Sequence, residues 1–171
     1  MWDEPTRTPA TPWDNREFRN ALGSFATGVC IITMRRADGR REGLTCNSFA
    51  SVSLNPPMVL WSLARTAVSA PAFRDAKFFA VNVLAADQRE LSTHFARPAE
   101  DKFAAFADAF AETGLGGTPL LAGACARFEC RNQFQNYGGD HIVFIGIVER
   151  FTAFERAPLV FHRGSYGELS N

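Results

Sequence analysis

Lysine is almost missing from the chain. Of 18 basic residues only Lys77 and Lys102 are lysine, and the rest are arginine, the better bidentate partner for carboxylates and phosphates. Net charge is missing too, because 18 acidic residues cancel the 18 basic ones. That balance excludes the cationic excess of a nucleic-acid groove or of a surface made for anionic membranes. Cys30, Cys46, Cys125 and Cys130 form no C-x-x-C pair, and no two of the three histidines stand at metal-ligand spacing, so no metal site is expected. Cys125 and Cys130 lie five apart in a predicted strand, on opposite faces, which forbids a local bridge. With no secretory signal ahead of the domain, the thiols are expected to stay reduced in the cytoplasm. The longest charge-free stretch, residues 43–64, carries Asn47, Asn55, Pro56, Pro57 and several serines, and so cannot cross a membrane.

The common cofactor fingerprints are absent as well. Gly114-Leu115-Gly116-Gly117 looks like a dinucleotide turn, but Thr118-Pro119 follows and no predicted strand leads into it, so the phosphate-on-helix geometry is missing. Neither lysine follows a glycine, which removes the P-loop, and there is no H-E-x-x-H and no G-x-S-x-G.

What the chain does have is phenylalanine, with 16 copies against 2 tyrosines and 3 tryptophans. An aromatic this apolar belongs in a core, in a subunit interface or around a flat ligand. At 171 residues, with 46% hydrophobic and 21% charged residues, the composition is that of one ordinary globular domain.

Residues 1–14, with Pro5, Pro9 and Pro12, read as an extended arm ahead of a domain at 15–171. Asp14 and Glu17 have capping-box spacing ahead of Phe18, Leu22 and Phe25, predicting a short amphipathic helix to about Gly23. Strands are predicted at 29–34, 41–48, 58–63, 78–84, 124–135, 140–153 and 159–162, with a hairpin at Asp38-Gly39 and a glycine turn at Gly138-Gly139. Helices are expected from Ser69-Pro71 to about Asp75 and, with Asp87 and Glu90 as a second capping box, to about Ala96. Residues 98–118 predict a short helix and an irregular loop. Six or seven strands in hairpin order suggest an antiparallel barrel.

Three stretches could carry chemistry. Thr45, Asn47, Ser48, Ser51 and Ser53 place five small uncharged polar groups in nine residues of a strand-to-bend segment. Such a surface can hydrogen-bond an amide-like ring edge and cradle a phosphate, or it can simply satisfy its own turn. Asp140-His141 enters a strand after a glycine turn, either as a ligand-facing pair or as a strand-end hydrogen bond. Arg163-Gly164-Ser165-Tyr166 ends the domain, with Tyr166 a lid over a flat ligand or an ordinary tyrosine at the edge of the core.

Five blocks occur in order: Phe18-Arg19-x-Ala21-x-Gly23-x-Phe25-x-Thr27-Gly28-Val29, the 43–57 segment, Phe79-Ala80-Val81-Asn82-Val83-Leu84, Gly139-Asp140-His141 with Gly146-x-Val148, and Pro158-Leu159 with Gly164-x-Tyr166. Together they make the chain resemble the short-chain flavin reductases, over about residues 18–169. The resemblance implies a mainly β, six-stranded antiparallel split barrel of the Greek-key, FMN-binding type with short peripheral helices, assembled as a homodimer. It implies an NAD(P)H:flavin oxidoreductase that uses FMN or FAD as acceptor and NADH or NADPH as donor, and hands reduced flavin to a separate monooxygenase component. Carried over by residue, Thr45, Cys46, Asn47 and Ser48 would meet the flavin ring and ribityl group, and Ser51, Val52 and Ser53 the ribityl and phosphate end. Lys102 would face that phosphate, and Asp140, His141 and Tyr166 would lie beside nicotinamide and flavin. Two other readings stay open: a tightly held flavin in an electron carrier or sensor, and a barrel that serves only as an interaction module.

Overall fold

The computed structural model describes residues 12–169. Most of the predicted arm, residues 1–11, lies outside the described residues; of its remainder, Trp13 packs on Phe18 at 5.8 Å between ring centroids and Asp14 caps the first helix. The fold is mainly β. Twelve strands run in the order β1 (Thr27–Gly28), β2 (Cys30–Arg35), β3 (Arg41–Cys46), β4 (Ala50–Leu54), β5 (Pro57–Ala64), β6 (Phe78–Val83), β7 (Glu112–Thr113), β8 (Pro119–Leu120), β9 (Ala126–Gly138), β10 (His141–Ala153), β11 (Val160–His162) and β12 (Ser165–Gly167). Three α-helices, α1 (Asn15–Leu22), α2 (Ala70–Asp75) and α3 (Arg89–Phe95), lie between them.

The main sheet corrects the six-strand expectation: seven strands pair in the order β3-β2-β6-β9-β10-β5-β4, every described pair antiparallel, with no ladder joining β3 to β4. Relative to the seven strands predicted from the pattern, two changes offset each other. The polar segment expected to be a loop contains β4, which folds back on β5 through Ser51↔Val59 and Leu54↔Pro57. The last predicted strand leaves the main sheet and forms a small one, β1-β11-β12.

The strands follow from the apolar pattern. Cys30 to Met34 is apolar but for Thr33, and β2 is accordingly buried on both faces. On one face Trp61 stacks on Phe144 at 4.5 Å and meets Phe73 and Phe79 edge-on. On the other, Phe95, Phe103 and Phe110 form a mutual cluster with Val29, Ile31, Leu84, Leu121 and Leu159. Full burial of each such ring contributes about 2–3 kcal/mol. The two buried polar side chains of this layer are matched: Thr33 donates to the Pro119 carbonyl, Asn82 donates to the Ile31 carbonyl and to Thr33 Oγ1, and Leu121 N–H donates to Asn82 Oδ1.

Glycine is forced at two places by crowding. A Cβ on Gly146 would come within 2.5 Å of Phe79 Cζ, and one on Gly43 within 2.8 Å of Phe95 Cε1. Gly146 also adjoins a bulge in the β9–β10 ladder.

Two helical expectations and one loop shift. At 98–118 two 3-10 turns, 104–106 and 108–110, replace the short helix, pinned by buried Phe103 and Phe110. Before α3 a 3-10 turn is closed by Gln88, whose side chain accepts from Ala85 N–H, while Asp87 pairs with Arg156 instead of capping. The Gly114-Leu115-Gly116-Gly117 run is preceded by the two-residue β7 but opens a 3-10 turn, so it has no helix to bind phosphate. No described helix is long and apolar enough to cross a membrane.

Candidate active site

The 43–57 segment places its polar side chains unevenly. Thr45 Oγ1 donates to the Ser92 carbonyl at 2.7 Å, and Ser48 Oγ accepts from Ser62 N–H at 2.9 Å. Cys46 points into the core opposite Cys30, and burial pushes both thiols up, so they stay protonated. Ser53 Oγ accepts from Asn55 N–H within the β4–β5 turn. Asn47 and Ser51 remain exposed, and Val52 is the bulge residue between them and the turn.

Lys102 is half-buried. Its Nζ donates to the Gly43 carbonyl at 3.1 Å and to the Phe95 carbonyl at 2.8 Å, and burial pulls its pKa down while nearby Glu42 opposes that shift. Two of its three protons therefore serve the fold. Tyr166 is held from the other side: its hydroxyl hydrogen-bonds the fully buried Ser92 hydroxyl at 2.8 Å, its ring meets Phe161 edge-on, and Arg89 lies over its face.

Asp140 and His141 form a pair at the start of β10, with Asp140 Oδ1 2.8 Å from His141 Nδ1. That hydrogen bond holds the exposed Asp140 carboxyl below its ordinary range. With Nδ1–H given to the carboxylate, a neutral ring keeps Nε2 as its acceptor.

Register shows which of these meet. His141 pairs with Ala64, and Ser48 bonds Ser62, so the bend at 46–48 and the Asp-His pair share one end of β5. Ser53 pairs with Met58 at the other end, six residues from Ala64 and roughly 20 Å away along the strand. Thr45 and Tyr166 are joined through Ser92. Ser51, Val52 and Ser53 are not brought to Asp140 and His141 within the chain.

The open space lies beside Asn47. A cleft of about 810 Å³ runs between the C-terminal half of α1 and the β11–β12 turn, lined by Arg19, Phe25, Thr27, Asn47, Phe161 and Arg163 among others. Its volume suits a nucleotide-sized ligand. Thr27 Oγ1 is shut off from solvent and has no hydrogen-bond partner among the described residues; Trp61 Nε1, Arg127 Nε and Asn132 Oδ1 share that state, but Thr27 is the one of the four that lines the cleft. A flavin, rich in carbonyl and ring-nitrogen acceptors, fits that donor and the amide of Asn47. Arg19, Thr27 and Arg163 stand in the sequence only inside longer motifs, and no motif contains Ser92. Thr27-Gly28, read from the sequence as a turn, is the short strand β1 paired with Val160 and Phe161.

Comparison with known proteins shows the family of the chain. The family model for the flavin reductase-like domain matches residues 22–170. The chain is 45% identical over 157 residues to the FMN reductase (NADH) SmoA of Agrobacterium fabrum, covering 92% of this chain and 87% of that protein. It is 44% identical over 151 residues to the reductase component of the flavin-dependent trigonelline monooxygenase of Acinetobacter baylyi, covering 88% of this chain and 48%, about half, of that one. Among solved structures, the NADH:FAD oxidoreductase SgcE6 of Streptomyces globisporus, in complex with NAD and FAD fragments, aligns with a TM-score of 0.84 at 34% identity, covering 96% of this chain and 98% of that one. The chain belongs to the flavin reductase-like family.

Proposed function

We propose that residues 15–171 form an NAD(P)H:flavin oxidoreductase domain that reduces FMN or FAD and supplies the product to a separate monooxygenase component. The observation that carries this is the cleft in which Asn47 and the unpartnered Thr27 hydroxyl meet, in a chain whose relatives are flavin reductases. When bound, the two cofactors supply the redox chemistry themselves, hydride passing from nicotinamide C4 to flavin N5. The chain's share is alignment, which holds the reacting atoms at about 3–3.5 Å.

In this reading Asn47 and the backbone of 45–48 hold the ring edge, with Thr45, Cys46 and Ser48 fixing that backbone through the core and β5 rather than offering their own side chains. Ser51, Val52 and Ser53 lie on the β4–β5 hairpin and make no part of this cleft. Tyr166, fixed by Ser92, backs the site. Asp140 orients His141, and His141 positions the nicotinamide, since hydride transfer to N5 needs no acid in the same step. Lys102 keeps β3 and the end of α3 together.

The assembly is a homodimer. Support comes from an unburied apolar band: Phe151 is 71% exposed, Leu54 93% exposed, and Phe49, Phe128 and Phe151 stack in a row. Four free thiols suit a reducing compartment, and the cytoplasm is the location proposed.

The test is NADH or NADPH with FMN or FAD, followed at 340 nm. Turnover with free flavin is the expected result. A protein that stays yellow and is not bleached by either nucleotide would instead be a carrier or sensor, and one that binds no flavin would be an interaction module.

A further inference from the structure

Arg19 and Arg163 leave the backbone at the same end of the cleft. The helix α1 ends at Gly23, whose N–H donates to the Arg19 carbonyl at 2.9 Å and whose carbonyl accepts from Arg163 N–H at 2.9 Å. A Cβ built on Gly23 would lie 3.4 Å from Arg19 O and 3.5 Å from Arg163 Cα. The two residues are thus anchored around one point, and both line the cleft.

Neither arginine has an ion-pair partner among the described residues; Arg16, Arg35, Arg41, Arg89 and Arg97 share that state, but Arg19 and Arg163 are the ones that line this cleft. Arg163 is also the one described non-glycine residue in the left-handed region, at φ 48°. With Gly164 at φ 80° it makes the two-residue turn between His162 and Ser165, so the hairpin fixes where the Arg163 side chain leaves the backbone. Carbonyls at the end of α1 attract cations and explain why two gather, but they leave the charge unneutralised. The other candidate cation, Lys102, gives two protons to backbone carbonyls.

Resting on the flavin-reductase reading, we propose that Arg19 and Arg163 form an anion-binding pair that grips a phosphate group of a bound nucleotide. The paired forks and the cleft suit a phosphate or diphosphate, which can come from the flavin or from the nicotinamide nucleotide.

The experiment separates these sources. Arg19→Gln, Arg163→Gln, the double variant and Arg40→Gln, an exposed charge control on the β2–β3 hairpin, are titrated by flavin fluorescence with riboflavin, FMN and FAD. KM for NADH is then measured with riboflavin, which carries no phosphate, as acceptor. Each single variant should weaken the phosphate-bearing ligand about tenfold, and the double variant more, with unchanged thermal unfolding and no effect of Arg40→Gln. Weaker FMN and FAD binding at unchanged riboflavin binding assigns the flavin phosphate. A raised KM for NADH with riboflavin as acceptor assigns the nicotinamide nucleotide. Unchanged values throughout, or equal losses for riboflavin and FMN with no change in KM for NADH, overturn the proposal. If the wild-type protein oxidises no NADH with any flavin, the functional reading fails, and the riboflavin-against-FMN titration still decides whether the pair grips phosphate.

Discussion

The bend at 43–57 and the cleft beside α1 both gather polar residues, but they use them in opposite ways. In the bend, the hydroxyls of Thr45, Ser48 and Ser53 are all engaged with the protein's own backbone, and Cys46 faces the core. In the cleft, Thr27 Oγ1 is buried without a partner, and Arg19 and Arg163 have no counter-charge among the described residues. A density of hydroxyls marks a place where the backbone needs support. Capacity to bind a ligand is marked by polar groups that the fold leaves unfinished.

Removing a support of the bend should cost stability most. Lys102→Met strips the Gly43 and Phe95 carbonyls of a charged donor and is expected to lower unfolding stability by about 2–3 kcal/mol, read by urea titration, with flavin affinity retained where the protein is folded. A large loss of FMN affinity with unchanged stability would move Lys102 from the bend to the ligand. Next, Ser92→Ala leaves Tyr166 without its hydroxyl partner, and about 1–2 kcal/mol should be lost; Tyr166→Phe in the same background should add little, because the two act as one bond.

Asn47→Ala belongs to the other side of the comparison. It should leave stability within about 0.5 kcal/mol and weaken flavin roughly fivefold, about 1 kcal/mol, as measured by fluorescence quenching. The smallest effect is expected at Ser51→Ala, an exposed hydroxyl at the far end of β5, where stability should move by less than about 0.5 kcal/mol and flavin affinity should hold. If Ser51→Ala weakened flavin more than Asn47→Ala, the ligand would lie along the β4–β5 hairpin and the contrast between bend and cleft would be reversed.

Much of the fold was legible because its signals are local. The apolar run of β2, the Asp38-Gly39 turn and the glycine turn before β10 each announce themselves within a few residues, and Gly39 and Gly139 take the positive φ their turns require. The β4 strand was hidden because its Ala-Ser-Val-Ser-Leu sequence pairs on one edge and is largely exposed, so burial did not imprint alternation on it. The apolar stripe of α1 was read correctly as a helix, yet Phe25 is 78% exposed and no α1 residue is buried, since a stripe shows amphipathicity and not what covers it.

The site was half legible. Asn47, Tyr166 and the Asp140-His141 pair stand in recognisable motifs. Ser92 matters through Tyr166 and Thr45, 74 and 47 residues away, and Arg163 meets the end of α1 at Gly23, more than a hundred residues away, and no spacing rule reaches that far.

The central claim is that ligand goes to the unfinished polar groups. A crystal structure of the protein with FMN and NAD⁺ tests it most directly: the account expects the flavin ring in the cleft against Asn47, with Thr27 Oγ1 hydrogen-bonded to ligand. Density over the β4–β5 hairpin, with Thr27 still unpartnered and the cleft closed by side chains, would contradict it.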